Sequence, residues 1–496
     1  MLEKIFKITE KNSTLKTEIF AGLTTFLSMS YILVVNPQVL GSVGMNPDTV
    51  FIMTILASAL TCILSAFLSN LPFAFSAGMG LNTYFAFTAC GTFGFSWQVA
   101  AASVFVSGLI YLILVISGLR KYILVAIPKS LNTALTVGIG LFCAFIGLQM
   151  ANIVMPDPSS YLKIFNWSKY NFNTYGISVL LGMIGIISIA FFHQKNYKGA
   201  ILFGILLVWV LSGICQLCGL YTPCVEVSLA DGQSTAIWTM PVDYTPMDNE
   251  RIVATWPSVL QKFDGDVFNI FIKNDTNAWS GFGACFAGFQ EVVSTNSISF
   301  FIVSTLCFLI INFFDNVGCI SGVSASFKLT DKDGNVPGLA RGLISNAIGT
   351  CAAGFFGISP IAVFIESSSG ISIGGKTGLT SLVVGILFLL SIIFAPLLLA
   401  VPKFVVAPAL VFVGFLMMQS VVRIDFKKFI NAFPAFLTII IMPFTCSIAD
   451  GIAWGLISYI VLHLFAGKGI STKKEDAVHP AMIVIALCFL LMYTQM

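Results

Sequence analysis

Two carboxylic acids, Asp315 and Glu366, fall well inside apolar stretches of this chain. A charged acid at the bilayer centre costs roughly 2.5–3.5 kcal/mol on insertion scales, so such residues are kept where they face a cavity or a partner. No Lys or Arg lies mid-span, and His193, His463 and His479 sit near span ends or in the tail. Each acid must therefore be protonated, solvated, or engaged by a ligand or by backbone N–H groups. The plain structural alternative is a protonated carboxyl bonded between helices. An ionised carboxylate only accepts hydrogen bonds, so it suits a solute that presents N–H donors. A carboxyl that takes up and releases a proton suits ion coupling.

The residues around Glu366 do not make a continuous helix. In GISPIAVFIESSSG (357–370), Pro360 has no N–H to donate, and Gly357, Gly370 and three serines weaken a helix further. The β-branched and aromatic residues from Ile361 to Ile365 favour an extended segment. A short extended piece leading into a half-helix would aim N–H groups and a positive dipole end at a central cavity. Irregular backbone at this depth is tolerated only in a protein interior or a cavity wall. The stretch FSAGMGLNTYF (75–85) is broken in a similar way, with Gly78 and Gly80 around Met79, then Asn82. On their own such glycines serve close helix packing. Two broken runs at matching places in two halves point to a binding site.

The elements that carry these residues are membrane spans. The chain is 57% hydrophobic and 9% charged, against about 25% charged in soluble domains, and its mean hydropathy is +0.94. A span needs about 20 apolar residues. Suitable runs sit near 19–38, 50–69, 74–90, 95–118, 130–152, 175–193 and 199–219, and again near 298–322, 339–356, 358–373, 379–400, 404–422, 432–447 and 450–466. The expected organisation is a cytoplasmic N-terminus (1–16), a first seven-span repeat (17–220), an extracytoplasmic insert (221–297), a second seven-span repeat (298–466) and a tail (467–496). The apolar stretch 481–495 in that tail is short, either a further span or an interfacial helix. With the N-terminus inside, only Lys163, Lys169, Arg251, Lys262, Lys273 and Lys403 of the 25 basic residues fall outside, as the positive-inside rule requires. Seven spans per half force opposite topologies on the two repeats, a hallmark of secondary transporters. Ala126-Ile127-Pro128-Lys129 and Ala400-Val401-Pro402-Lys403 are a faint internal echo of that repeat.

Other classes are disfavoured. The net charge of +3 makes no case for nucleic acid. No HExxH or clustered His and Asp marks an enzyme, and the lone CxxC of Cys215 and Cys218 lacks the second half of a metal site. No cofactor or metal is expected. Lys4, Lys7, Lys11 and Lys16 precede a first run that is too long for a signal peptide. Cys224 and Cys285 could pair if the insert is extracytoplasmic.

Several motifs together resemble the AzgA-like purine permeases of the nucleobase/ascorbate transporter family. They are TEIFAGLTTFLSMSYILVVNP (17–37), GMGLNTYF (78–85), FFDNVG (313–318), SPIAVFIESSSG (359–370), GKTGLT (375–380) and IMPFTCSIADGIAWG (441–455). The resemblance implies an all-α integral membrane fold of fourteen spans in two inverted repeats. Spans 1–4 and 8–11 would form a core domain, and spans 5–7 and 12–14 a gate domain. Spans 3 and 10 would be broken by short strands that pair near mid-membrane. It implies proton-driven import of hypoxanthine, guanine or adenine across the cytoplasmic membrane by alternating access, with sodium as the other candidate ion, and a homodimer as in the wider family. By motif, Glu366 is the substrate-binding acid, Asp315 the functional acid of span 8, and Asn82 and Gly80 border the same site. Phe364 and Ser367 complete the candidate substrate-binding set, and Asp315 and Glu366 are the candidates for proton coupling. Phe85 and Phe314, like Phe364, could stack on a purine ring. Asn312, Asn316, Cys319 and Ile358 depart from the family pattern, and Cys319 stands where uracil-type relatives have histidine. The alternative is another small solute, a pyrimidine or an anion, on the same fold.

Overall fold

The structure is a computed structural model. It describes residues 2–118, 128–157, 161–167, 172–197, 199–220, 226–229, 250–253, 279–294, 298–327, 329, 336–395, 398, 401–467, 469 and 478–493. The first half contains α1 (Leu2–Phe6), α2 (Leu15–Met29), α3 (Ile32–Gly41), α4 (Pro47–Leu68), β1 (Phe75–Ala77), α5 (Met79–Thr83), α6 (Trp97–Ile116) and α7 (Lys129–Met150). It continues with β2 (Val154–Asp157), β3 (Tyr161–Ile164), α8 (Ile177–Gln194) and α9 (Ala200–Leu217). Strands β4 (Glu226–Leu229) and β5 (Glu250–Val253) pair within the insert, and α10 (Ala284–Ser294) ends it. The second half contains α11 (Ile298–Ser326), α12 (Leu339–Phe355), β6 (Ile361–Val363), α13 (Ser367–Ile373), α14 (Gly378–Leu390), α15 (Lys403–Met418), α16 (Phe429–Thr445), α17 (Ile448–Phe465) and α18 (Pro480–Tyr493).

Every one of the fourteen apolar runs carries an element. Nine helices among the described residues are long and apolar enough to cross a membrane, and Gly378–Phe394 and Phe429–Thr445 are shorter apolar helices. The remaining runs are α12 and the two broken segments. Five helix starts are set by capping side chains, which satisfy orphan N–H groups. Thr14, Asn46, Ser96, Thr377 and Ser447 each accept a hydrogen bond from a backbone N–H of the helix that follows.

Runs three and ten are broken as expected. Strand β1 pairs with β6 antiparallel, Ser76 opposite Ala362. Each strand then turns into a half-helix, α5 and α13. After α5 the chain continues as a π-helix over Tyr84–Thr92, closed by Phe93 N donating to Thr88 O at 2.9 Å. Span 1 is interrupted too: α2 and α3 are separated by Ser30 and Tyr31, where Leu33 N and Val34 N bond the carbonyls three residues back.

The chain divides into two compact units, Met1–Cys143 with Phe268–Ile393 and Val413–Met496, and Ala144–Val267 with Phe394–Phe412. The first unit holds spans 1–4 and 8–11, the expected core, spans 13 and 14, and the parts of spans 5 and 12 up to Cys143 and from Val413. Spans 13 and 14 are there because α16 packs on the first half of α7, with Gly138 against Met442 and Thr438. The second unit contains α8 and α9, with Gly185 against Pro408.

Two parts of the insert and tail differ from the simplest sequence reading. Residues 284–294, inside the polar insert, form a helix whose Glu291 accepts from Ser96 Oγ at 2.6 Å. Cys285 is a buried free thiol on that helix, and Cys224 lies outside the described residues. The tail helix α18 docks on α11 and α17, buries Met482 and Phe489, and its Tyr493 hydroxyl donates to Asp450 Oδ1 at 2.6 Å.

Candidate functional site

Strands of three residues in a membrane interior need partners on both edges, because an unpaired peptide group there costs several kcal/mol. The free edge of β6 is met by asparagines of α11 and α12. Asn316 Oδ1 accepts from Val363 N at 2.7 Å, and Asn346 Nδ2 donates to Ile361 O at 2.7 Å. Asn316 is itself held by Asn312 and Asn346, and Asn312 donates to Thr350 Oγ1 at 2.9 Å. The free edge of β1 is met by Cys62, whose Sγ accepts from Phe75 N at 3.2 Å and donates to Phe75 O at 3.3 Å. Asn312 and Asn316, which depart from the family pattern, thus brace the strand below the site.

The braced strands hold the two half-helix N-termini against one cavity of about 390 Å³ within the first unit, a size in the usual range for small-molecule sites. Gly78, Met79 and Gly80 line it from α5, and Phe364, Glu366 and Ser368 from the β6–α13 turn. Asp315 and Cys319 of α11, Tyr31 of the span 1 break and Asn132, Thr133 and Thr136 of α7 add polar groups to its wall. Gly80 has no room for a side chain: a Cβ there would run into Ile139 Cγ2. Glu366 is the residue that opens α13, and its carboxylate Oε1 accepts from the Tyr31 hydroxyl at 2.7 Å.

The six expected site residues separate into two groups. Glu366, Asp315, Gly80 and Phe364 line the cavity; Asn82 and Ser367 do not. Asn82 is fully buried and bonded through Oδ1 to Ser359 Oγ, while its Nδ2 has no partner among the described residues. Ser367 accepts from Ala74 N at 3.0 Å and donates to Phe364 O at 2.7 Å, stitching β1 to the start of α13. Of the other rings, Phe314 lines the cavity, whereas Phe85 is buried against Phe308.

Sequence reasoning missed several cavity residues, among them Asn132, Thr133 and Thr136 of α7, Ser420, Tyr31 and Arg423. Tyr31 lies in a run read as an ordinary span, and only the doublet Ser30-Tyr31 before a proline-containing helix hints at its break. Arg423 ends a short 3₁₀ stretch after α15 (Gln419–Arg423) and lines the cavity with Ser420. It lies one residue past the apolar run, so it read as a loop cation. The cavity is therefore not free of basic side chains. Among the described residues no group of His, Cys, Asp or Glu is arranged to hold a metal ion.

Residues 16–255 and 284–454 match the model of the permease family. The chain belongs to that permease family. It is 34% identical to the adenine permease AdeP of Escherichia coli over 99% of this chain and 95% of the relative. It is 34% identical to the guanine/hypoxanthine permease PbuG of Bacillus subtilis over 99% of each. The nucleobase transporter PlAzg2 of Paenibacillus larvae is 30% identical over 90% of this chain and 76% of that protein. The AzgA-like resemblance of the motifs is thereby borne out. The transmembrane domain of the cyanobacterial bicarbonate transporter BicA has the same fold, with a TM-score of 0.55, 15% identity and coverage of 90% of this chain and 97% of that one. The permease is a multi-pass helical membrane protein of this transporter fold.

Proposed function

We propose that the permease imports purine nucleobases by proton symport, with the base bound in the cavity between the two half-helices. The observation that carries the reading is the Glu366 carboxylate at the opening of α13, on one cavity wall with Asp315 and facing the glycine-lined start of α5. The full-length relatives named as adenine and guanine/hypoxanthine permeases support the substrate class.

A purine is a flat apolar ring edged with N–H donors and ring-nitrogen acceptors. The acceptor-only carboxylate of Glu366 takes the donors. The N–H groups at the start of α5 serve the acceptors, as helix N-termini do for anions, while those of Ser367, Ser368 and Ser369 in α13 are already bonded to the carbonyls of Phe364, Ile365 and Glu366. Phe364 and Phe314 supply aromatic surface. Asp315, with no hydrogen bond or ion pair among the described residues, carries the coupled proton. A neutral base moving with one proton carries one charge, worth about 2.3 kcal/mol per 100 mV of membrane potential. That alone supports a roughly 50-fold gradient at 100 mV.

The protein sits in the cytoplasmic membrane with its N-terminus inside, residues 221–297 outside, and a homodimer as the working assembly. Alternating access moves the core spans 1–4 and 8–11, which carry Glu366 and Asp315, against the gate spans 5–7 and 12–14. The test is uptake into proteoliposomes under an imposed inward proton gradient. Purine accumulation that collapses with a protonophore supports symport. Accumulation that follows a sodium gradient and ignores the protonophore overturns the choice of ion. Arg423 on the cavity rim favours one second reading, a small organic anion. Uptake of such an anion without uptake of purines would establish that reading instead.

A further inference from the structure

Tyr31 is 1% exposed, stands in the break between α2 and α3, and lines the cavity. Its hydroxyl donates to Glu366 Oε1 at 2.7 Å, across 335 residues of sequence. Its ring centroid lies 6.3 Å from that of Phe364, tilted by 51°. Among the described residues it is the one side chain that hydrogen-bonds the Glu366 carboxylate. Helix α13 gives that carboxylate no capping bond, so the helix it opens does not hold it.

The break that places Tyr31 is itself tied to α13. Ser28 Oγ and Ser369 Oγ are hydrogen-bonded at 3.0 Å. Gly370 leaves no space for a Cβ against Ala21 and Thr25. Span 1 and the half-helix of span 10 are therefore in direct packing contact, and the Tyr31–Glu366 bond spans that contact. A glutamate side chain has three torsions to freeze when it binds a ligand, which opposes binding. A hydroxyl bonded to a carboxylate is a short, strong contact, and fixing the acid before the ligand arrives lowers that cost.

We propose that Tyr31 is a positioning residue of the purine site, holding the Glu366 carboxylate by one oxygen so that it meets the N–H edge of the base already oriented. Its ring, packed beside Phe364, fixes where that hydroxyl points. This rests on the reading of the cavity as a purine site. Tyr31 acts through Glu366 and need not touch the base.

The test is equilibrium binding of labelled hypoxanthine to the purified full-length protein, with wild type beside Tyr31→Phe. Phenylalanine keeps the ring and removes only the hydroxyl. A glutamate left unfixed must lose its side-chain freedom on binding, which supports an expected rise in Kd of about tenfold. The melting temperature without ligand should stay within about 2 °C of wild type, since the ring still fills its place and Glu366 lines a cavity where water can replace the hydroxyl. An unchanged Kd overturns the proposal. A weakened Kd with a melting temperature lowered beyond that margin also overturns it, because the tyrosine would then be structural. Wild-type protein that binds no purine brings down the purine reading and this proposal together, whereas wild-type binding that Tyr31→Phe leaves intact brings down this proposal alone.

Discussion

Asp315 and Glu366 share one cavity yet are held differently. Glu366 has a hydroxyl donor from Tyr31, and Asp315 has no hydrogen bond or ion pair among the described residues. A carboxyl free of fixed donors can change protonation without breaking protein bonds, which suits Asp315 to the ion and Glu366 to the base. Asp315→Asn should therefore keep purine binding within a few-fold of wild type and lose accumulation against a gradient. Proton-driven accumulation by that variant at the wild-type level would refute the division of roles. The two acids were legible in the sequence because charge in an apolar run is conspicuous. The Tyr31 contact was not, since a tyrosine in a hydrophobic span carries no local sign of a partner 335 residues away. For Asn82 the polarity was legible and the partner was not. Its polarity and its place beside Gly80 suggested a ligand contact, and the structure spends its carbonyl on Ser359.

Among the elements, the β1–β6 pair is what makes the site, and it was partly legible. The β-branched run before Glu366 and the glycines around Met79 located both breaks. The devices that complete them come from other helices and could not be read locally. Asn316→Ala leaves the buried Val363 N–H without its acceptor, a loss of about 1–3 kcal/mol. The expected result is a lower melting temperature together with weaker purine binding, because Val363 precedes Phe364 and Glu366 in the chain. A variant that melts like wild type would show that the asparagine bond is dispensable. Gly80→Val forces a branched side chain onto Ile139 at the start of α5, and uptake should fall by an order of magnitude or more at equal expression. Wild-type uptake by Gly80→Val would show that α5 tolerates displacement from the cavity.

For the whole molecule, the N-terminal segment ties the ends of several spans together. Phe6 is buried with Ile8, Ala66 and Leu379, and Lys11 Nζ donates to Asn70 O at 2.7 Å and to Lys376 O at 3.3 Å. Glu18, one residue before the first apolar run, is fully buried, and its carboxylate accepts from Lys376 N, Thr377 N and Thr380 Oγ1 at the start of α14. Glu18→Ala strands those donors and should destabilise the protein by about 2–4 kcal/mol, read as a lowered melting temperature in detergent. An unaltered melting temperature would mean that water replaces the carboxylate at no cost. The span count and the charge bias were readable because bilayer thickness and loop charge act on the chain segment by segment. How the spans group was not, since grouping depends on which faces meet; spans 13 and 14 fall with the unit that holds the cavity. The topology itself has a direct check. A membrane-impermeant lysine reagent applied to intact cells should modify Lys262 and Lys273 and spare Lys427 and Lys428, and the reverse pattern would invert the assignment.

The central claim is that a purine crosses through the cavity and is held there by Glu366. It is tested most directly by uptake of labelled hypoxanthine, guanine and adenine in cells lacking their own purine permeases, with wild type beside Glu366→Gln at matched surface expression. Uptake of at least one purine by wild type, reduced about a hundredfold or more in the variant, is the predicted result, in line with the loss of two charge-assisted hydrogen bonds. Purine uptake that survives Glu366→Gln, or no purine uptake by well-inserted wild-type protein, would contradict it.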